Sequence, residues 1–134
     1  MTGVPESVEL AAQRVIHAVH ACTHAHLIAL INEVADVKVG ASGLGDLSAS
    51  VGPLALAVLQ RRSTEAAALM TVRVARQCHD LELVVLGHRV AGIEPGTDPI
   101  ADVLAAMGGL AAAVLRERQA FRRTATSTVE DNRG

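Results

Sequence analysis

The stretch that decides the fold is the segment of residues 98–123, which reads DPIADVLAAMGGLAAAVLRERQAFRR. Its larger apolar residues recur at spacings of three and four, which is typical of a helix with one buried face. These residues are Ile100, Val103, Met107, Leu110, Val114 and Phe121. Asp98 offers an N-cap and Pro99 suits the first helical position. The sequence therefore predicts a helix over residues 98–123.

A line of small residues runs along the same segment at a spacing of four. It consists of Ala101, Ala105, Gly109 and Ala113. Small side chains let the backbone of a second helix approach closely, so we predict a helix–helix interface here. The charge-free apolar run Val103–Leu115 is shorter than the ~20 residues that a membrane span needs, so we expect no membrane span.

Two further helices are predicted before this one. After Pro5, no glycine or proline occurs up to Gly40, and the apolar residues fall on one face, so we predict a single helix over residues 5–39. Such a helix would be roughly 50 Å long. The Gly- and Ser-rich residues 40–52 are interpreted as a connection. A second helix is predicted over 51–91 with a break near residue 62, where one kinked helix and two consecutive helices both remain open.

The composition favours a helical core of aliphatic side chains. Half of the 134 residues are hydrophobic, yet the chain has one Phe and no Trp or Tyr. This disfavours an antiparallel sandwich and leaves no aromatic surface on which bases could stack. The net charge of −2 provides no basic field for nucleic acid. We predict an all-α protein, an antiparallel three- to four-helix bundle built on a long helical hairpin. The bundle is a single domain over residues 1–123, and residues 124–134 form a disordered tail.

The N-terminal residues and the two cysteines predict a cytoplasmic protein. The N-terminal residues contain neither a basic region nor an apolar core of the kind that a signal peptide has. Cys22 and Cys78 lie too far apart along the predicted helices to pair, so we expect buried free thiols.

The most unusual local feature is the histidine cluster HAVHACTHAH at residues 17–26. On one continuous helix, His17, His20 and His24 would share a face and could bind Zn, Cu or Ni, or supply a haem ligand. No carboxylate shares that face, so a polar flank of the bundle is the favoured interpretation and metal or haem binding is the alternative. His26 falls on the apolar face, where we expect a hydrogen-bonded core or interface histidine.

No catalytic motif is present in the sequence. It contains no G-x-S-x-G, and no phosphate-binding loop with its lysine. We therefore predict a non-enzymatic interaction module that has no cofactor. Its partner would be itself or another helical protein, in a homo- or hetero-oligomer.

The stretch GLGDLSASVGPLALAV at residues 43–58 resembles the turn and second-helix start of type VII secretion substrates, the Trp-x-Gly family of actinobacteria. The tripeptide Ser50-Val51-Gly52 occupies the place of the turn motif, with Ser where that family has Trp. The resemblance implies a helical hairpin over residues 5–91 that pairs into four-helix dimers. It also implies export in the folded state without a signal peptide. The family's export signal needs a tyrosine, which this chain lacks.

Overall fold

The computed structural model describes residues 7–38, 40, 42–94, 96 and 98–133, with side chains up to residue 123. Within these residues all regular structure is α-helical, which confirms the predicted class. The helices are α1 (Val8–His20), α2 (His24–Ala35), α3 (Gly43–Ala49), α4 (Val51–Leu59), α5 (Glu65–Gln77), α6 (Asp80–Ala91) and α7 (Pro99–Arg133).

The long helix α7 forms the centre of the fold, with α1 and α6 as its main neighbours. Both run antiparallel to it. Asp80 at the start of α6 binds Arg118 and Arg122 of α7, whereas Val90 near the end of α6 touches Gly108. The start of α1 likewise lies beside the later turns of α7 and its end beside Pro99. The remaining contacts are made mainly by α2 on α4 and by α3 on α5 and α6.

The apolar stripe predicted for residues 98–123 is buried over most of its length. Its buried members are Val103, Met107, Leu110 and Val114. Phe121 differs, because 76% of its surface is exposed.

The single helix predicted over residues 5–39 is wrong. The segment divides into α1 and α2, whose axes are bent by 117°. The Thr23 side chain caps α2 by accepting a hydrogen bond from the backbone N–H of His26 at 3.2 Å. An N-cap threonine satisfies a backbone donor that a new helix leaves free, so the chain can turn here without glycine or proline. The 50 Å rod and the long hairpin are therefore not formed.

The interpretation of residues 40–52 as a plain connection is also wrong, because α3 lies within it. Ser42 caps α3 by accepting from the N–H of Gly45 at 2.9 Å. The carboxylate of Glu82, from α6, accepts from the N–H of Leu44 at 3.1 Å. A charge from a distant part of the chain thus satisfies a free donor at the start of α3.

Residues 51–91 form three helices and not the one or two that the sequence predicts. At the first break, near the predicted residue 62, Arg61 adopts a left-handed conformation with φ of 54°. The second break follows Gln77, and there His79 and Glu82 form a reciprocal capping box at the start of α6. In this box the Glu82 carboxylate accepts from the N–H of His79 at 3.0 Å.

The disordered tail predicted over residues 124–134 overlaps the last part of α7 and stays a prediction. The backbone of α7 remains helical to Arg133. Neither glycine nor proline occurs between residues 110 and 133, so the sequence has no residue that would end the helix.

Candidate functional site

A groove of about 860 Å³ opens between α1 and the first two turns of α7. We call it the α1–α7 groove. It is lined by Leu10, Gln13, Arg14, Ile16, His17, Ala18, His20, Ala21, Pro99, Asp102, Ala105 and Ala106. A narrower groove of about 240 Å³ lies between the same two helices toward the start of α1, beside Glu9, Ala113 and Arg116.

The helical period of α1 explains why its side chains line this groove. The residues that α1 buries recur at three- and four-residue spacing: Val8, Ala11, Ala12, Val15 and Val19. Leu10, Arg14 and His17 lie on another face of the helix and reach the groove. Leu10 is 52% exposed although it is apolar. The lining of the groove therefore contains an apolar side chain that the chain's own core does not use.

The two walls of the groove carry opposite charges. Arg14 is the basic residue of the α1 wall, which also holds the polar imidazoles of His17 and His20, and Asp102 is the acidic residue of the α7 wall. In the narrow groove the order is reversed, because acidic Glu9 belongs to α1 and basic Arg116 to α7. Arg76 of α5 also bridges Glu9 at 3.5 Å and Glu117 at 3.0 Å. From its start to its end, α1 therefore carries first an acidic and then a basic residue, and α7 carries an acidic residue near its start and a basic one further along.

The predicted line of small residues lies partly along this groove. Ala101, Ala105 and Gly109 are half-buried, and Ala113 is buried. A Cβ added at Gly109 would meet no atom within 4 Å among the described residues. The close approach of a neighbouring helix is at Gly108 instead, where an added Cβ would overlap the Cγ2 methyl of Val90. The line therefore leaves free space at Gly109, which an interface to another helix could fill.

The bend between α1 and α2 separates the three predicted metal ligands. His17 and His20 lie in the last turn of α1 and line the groove, whereas His24 begins α2 beyond the bend. Among the described residues, no three His, Cys, Asp or Glu side chains are grouped so that they could hold a metal ion. His26, expected in a core or interface, is partly buried and shares a hydrogen bond between its Nδ1 and the Thr23 hydroxyl.

Both cysteines are buried and free, as predicted. Burial raises the pKa of the Cys22 thiol, and the nearby carboxylates of Asp98 and Asp102 raise it further. Burial also raises the pKa of Cys78, and Glu82 adds to this effect. A thiol with a raised pKa is protonated near neutral pH and is a poor nucleophile. Ala21, beside Cys22 at the bend, lines the α1–α7 groove together with Pro99 at the start of α7.

The site residue that sequence reasoning missed is Leu10. It does not belong to the apolar face on which the helix prediction was based, and that mismatch was the available signal. A large apolar residue off the buried face of an amphipathic helix indicates a second contact surface. Sequence reasoning also missed Arg116, which lies across the narrow groove from Glu9.

One helical stretch, Pro99–Arg123, is long and apolar enough to cross a membrane by length and composition. The pair α1 and α2 also passes this test if the bent pair is taken together. In this fold α7 contributes Val103, Met107 and Leu110 to the common core. A core helix of a bundle meets the same criterion, so this feature is weak evidence for a membrane span.

The site and fold define a class, an all-α protein with an open groove between two antiparallel helices. Comparison with protein-family models, with curated proteins and with solved structures gave no match. The resemblance to Trp-x-Gly secretion substrates, and with it export, stays a prediction. Ser50 of its turn tripeptide lies between α3 and α4, Val51 and Gly52 begin α4, and Gly52 serves a close approach in which an added Cβ would lie 2.8 Å from the Cγ2 of Val34.

Proposed function

We propose that this protein is a non-enzymatic interaction module and that the α1–α7 groove receives a helix. The observation that carries the proposal is the half-exposed Leu10, which lines the groove together with the small residues Ala105 and Ala106 of α7. An apolar groove between two antiparallel helices is a common docking place for a third helix. Leu10 to Ala21 spans roughly 17 Å, which matches about three turns of a bound helix.

The chemistry of the groove supports binding of a side-chain surface over catalysis. Its apolar lining is mainly Leu10, Ile16, Ala105 and Ala106. Its charged groups stand on the walls, and its histidines are exposed to solvent. Among the described residues, no buried side-chain nitrogen or oxygen lacks a hydrogen-bond partner. The groove therefore offers contact area and charge at its edges, which is the usual composition of a protein interface.

The alternative, metal binding, has narrower support. His17 and His20 lie one turn apart in the same groove, so two imidazoles could bind Zn, Cu or Ni if a bound partner supplied further ligands. Metal analysis of the untagged protein tests this. Stoichiometric metal that is lost in a His17→Ala, His20→Ala double variant would support it, and metal that the double variant retains would contradict it.

Site-specific photo-crosslinking in cells tests the proposed groove. We would replace Gln13, which lines the groove, with p-benzoylphenylalanine so that Leu10 is left intact. The matched control is the same replacement at Gln60, an exposed residue at the end of α4 that lies outside the groove. We expect a discrete crosslinked product from position 13 that is absent from position 60.

A Leu10→Asp substitution combined with the crosslinker at Gln13 gives the second arm of this experiment. It should abolish the product, because a carboxylate in the groove lining cannot be desolvated by an apolar partner. An equal yield with and without Leu10→Asp, or no product above the control, would refute the proposed function.

A further inference from the structure

We propose that the occupant of the α1–α7 groove is a second copy of this chain, related by a two-fold axis that runs parallel to α1 and α7. This inference rests on the proposed function and names its partner. The grooves of the two copies would face each other, and α1 of each copy would lie antiparallel against α7 of the other. The four helices would then form a bundle around the axis.

Charge complementarity at equal height along the groove is the first argument. At one end, His17 and His20 of α1 lie level with Asp102 of α7. At the other end, Glu9 of α1 lies level with Arg116 of α7. A two-fold axis parallel to the helices preserves height, so Glu9 would meet the opposite charge of Arg116 on α7 of the second copy, and the imidazoles of His17 and His20 would lie opposite the Asp102 carboxylate, to which a ring N–H can donate.

The other face-to-face arrangement has an axis perpendicular to the helices and places α1 against α1. In that arrangement Glu9 would face the far end of the second copy's α1 and not Arg116 of its α7, because a perpendicular axis reverses height along the helices. In the parallel arrangement the middle of α1 faces the part of α7 that holds Gly109, where free space is available.

The apolar content of the groove is the second argument. A second copy would cover both Leu10 side chains, each 52% exposed in the single chain. It would also bring side chains over Ala105 and Gly109, which permit close approach of helices. Burial of these apolar surfaces supplies the affinity, and the charges at the two ends fix the orientation.

The mass in solution is the first test. At micromolar concentration, light scattering coupled to size exclusion should give twice the chain mass of 13.9 kDa. Leu10→Asp should give the mass of one chain. Leu69→Asp is the matched control, because Leu69 is 68% exposed on α5, outside the groove, and should leave the dimer unchanged.

A charge exchange tests the orientation. Glu9→Lys alone and Arg116→Glu alone each place like charges opposite one another twice per dimer, so each variant should dimerise about tenfold more weakly. In an equimolar mixture of the two variants, the new lysine of one chain faces the new glutamate of the other at one contact, and the second contact keeps the native pair. The mixture should therefore recover the affinity of the unchanged protein as a heterodimer.

The outcomes separate the two proposals. A single-chain mass together with a crosslinked product of another mass from position 13 overturns the second copy but leaves the groove function standing. A dimer that Leu10→Asp leaves intact overturns both the second copy in this groove and the groove itself. A mixture that dimerises no better than the single variants overturns the parallel axis. Circular dichroism of each variant confirms that the helices are retained.

Discussion

Gly108 and Gly109 are neighbours in α7 and have opposite surroundings. Gly108 is buried and its Cα faces the Val90 side chain of α6, so the two helices touch through backbone and methyl group. Gly109 faces open space. The line of small residues at a spacing of four includes Gly109 and not Gly108, so the sequence pattern pointed to the wrong glycine for packing within the chain.

Gly108→Ala should lower the free energy of unfolding by about 1–3 kcal/mol, because the new methyl group overlaps the stiff, β-branched Val90. Gly109→Ala is the matched control and should raise it by up to about 1 kcal/mol, because alanine is the better helix former and no atom opposes it. Urea unfolding followed by circular dichroism measures both. Equal effects of the two substitutions would contradict the described contact.

Glu82 makes the stability of α3 and α6 depend on pH. Backbone hydrogen bonds from His79, Leu44 and Gly43 hold its pKa below the ordinary value of 4.5. Hydrogen bonds from Arg122 and Arg118 likewise lower the pKa of Asp80 from 3.8. A carboxylate whose pKa is lower in the folded state stabilises the fold above its unfolded pKa. That stabilisation is lost as the pH falls through the lowered value.

We expect Glu82→Gln to be less stable than the unchanged protein near neutral pH and to lose less of its stability on acidification. Urea unfolding near neutral pH and at about pH 3 measures both effects. Glu65→Gln, at an exposed acidic residue that begins α5, is the control. Parallel pH profiles of Glu82→Gln and the unchanged protein would contradict this role.

At the scale of elements, the fold depends on caps that divide long apolar segments into shorter helices. Thr23 is the cap of α2, and its hydroxyl also contacts the His26 ring. Thr23→Ala should cost about 1 kcal/mol of stability, as loss of an N-cap usually does. Thr23→Ser keeps the acceptor oxygen and should cost less. Chemical unfolding of the two variants provides the measurement, and equal costs would argue against capping.

Arg118 joins α7 to the break between α5 and α6. Its guanidinium binds the Asp80 carboxylate and donates to the backbone carbonyls of Arg76 and Cys78. These carbonyls end α5, so one planar group satisfies acceptors that the helix terminus leaves free. The end of α5 is therefore fixed by Arg118, which lies some forty positions further along the chain.

Arg118→Lys should be destabilising, because an ammonium group cannot reach all three acceptors with the geometry of a guanidinium. We expect a cost of about 1–3 kcal/mol, the usual range when hydrogen bonds to a charged group are lost. Arg122→Lys is the comparison, since Arg122 binds the same Asp80 carboxylate at 2.9 Å and its side chain is more exposed than that of Arg118. Thermal unfolding should rank Arg118→Lys as the less stable variant, and the reverse order would contradict the role of the guanidinium at the end of α5.

At the scale of the whole molecule, the proposed dimer couples folding to association. Dimer dissociation would then contribute to unfolding, so the melting temperature should rise with protein concentration. We would record thermal unfolding over a hundredfold range of concentration. The Leu10→Asp variant should give one melting temperature throughout, and a concentration-independent melting temperature of the unchanged protein would count against the dimer.

The sequence predicted the helical class, the start of α7 at Pro99 and most of its buried face, because these depend on composition and on the helical period. It did not predict the bend at Thr23 or the boundary at His79. Each break depends on a few hydrogen bonds between side chains and backbone, and the apolar period continues across both. In the site, it identified His17, His20 and Ala105, but it missed Leu10 because the pattern describes only one face of a helix.

The contact between Gly108 and Val90 has a consequence for how this chain can vary. A larger side chain at position 108 becomes acceptable only after position 90 has become smaller, so Val90→Ala should rescue much of the loss caused by Gly108→Ala. The two positions would then change together among descendants of this sequence. A glycine at 108 would accompany a branched residue at 90, and an alanine at 108 would accompany a small one.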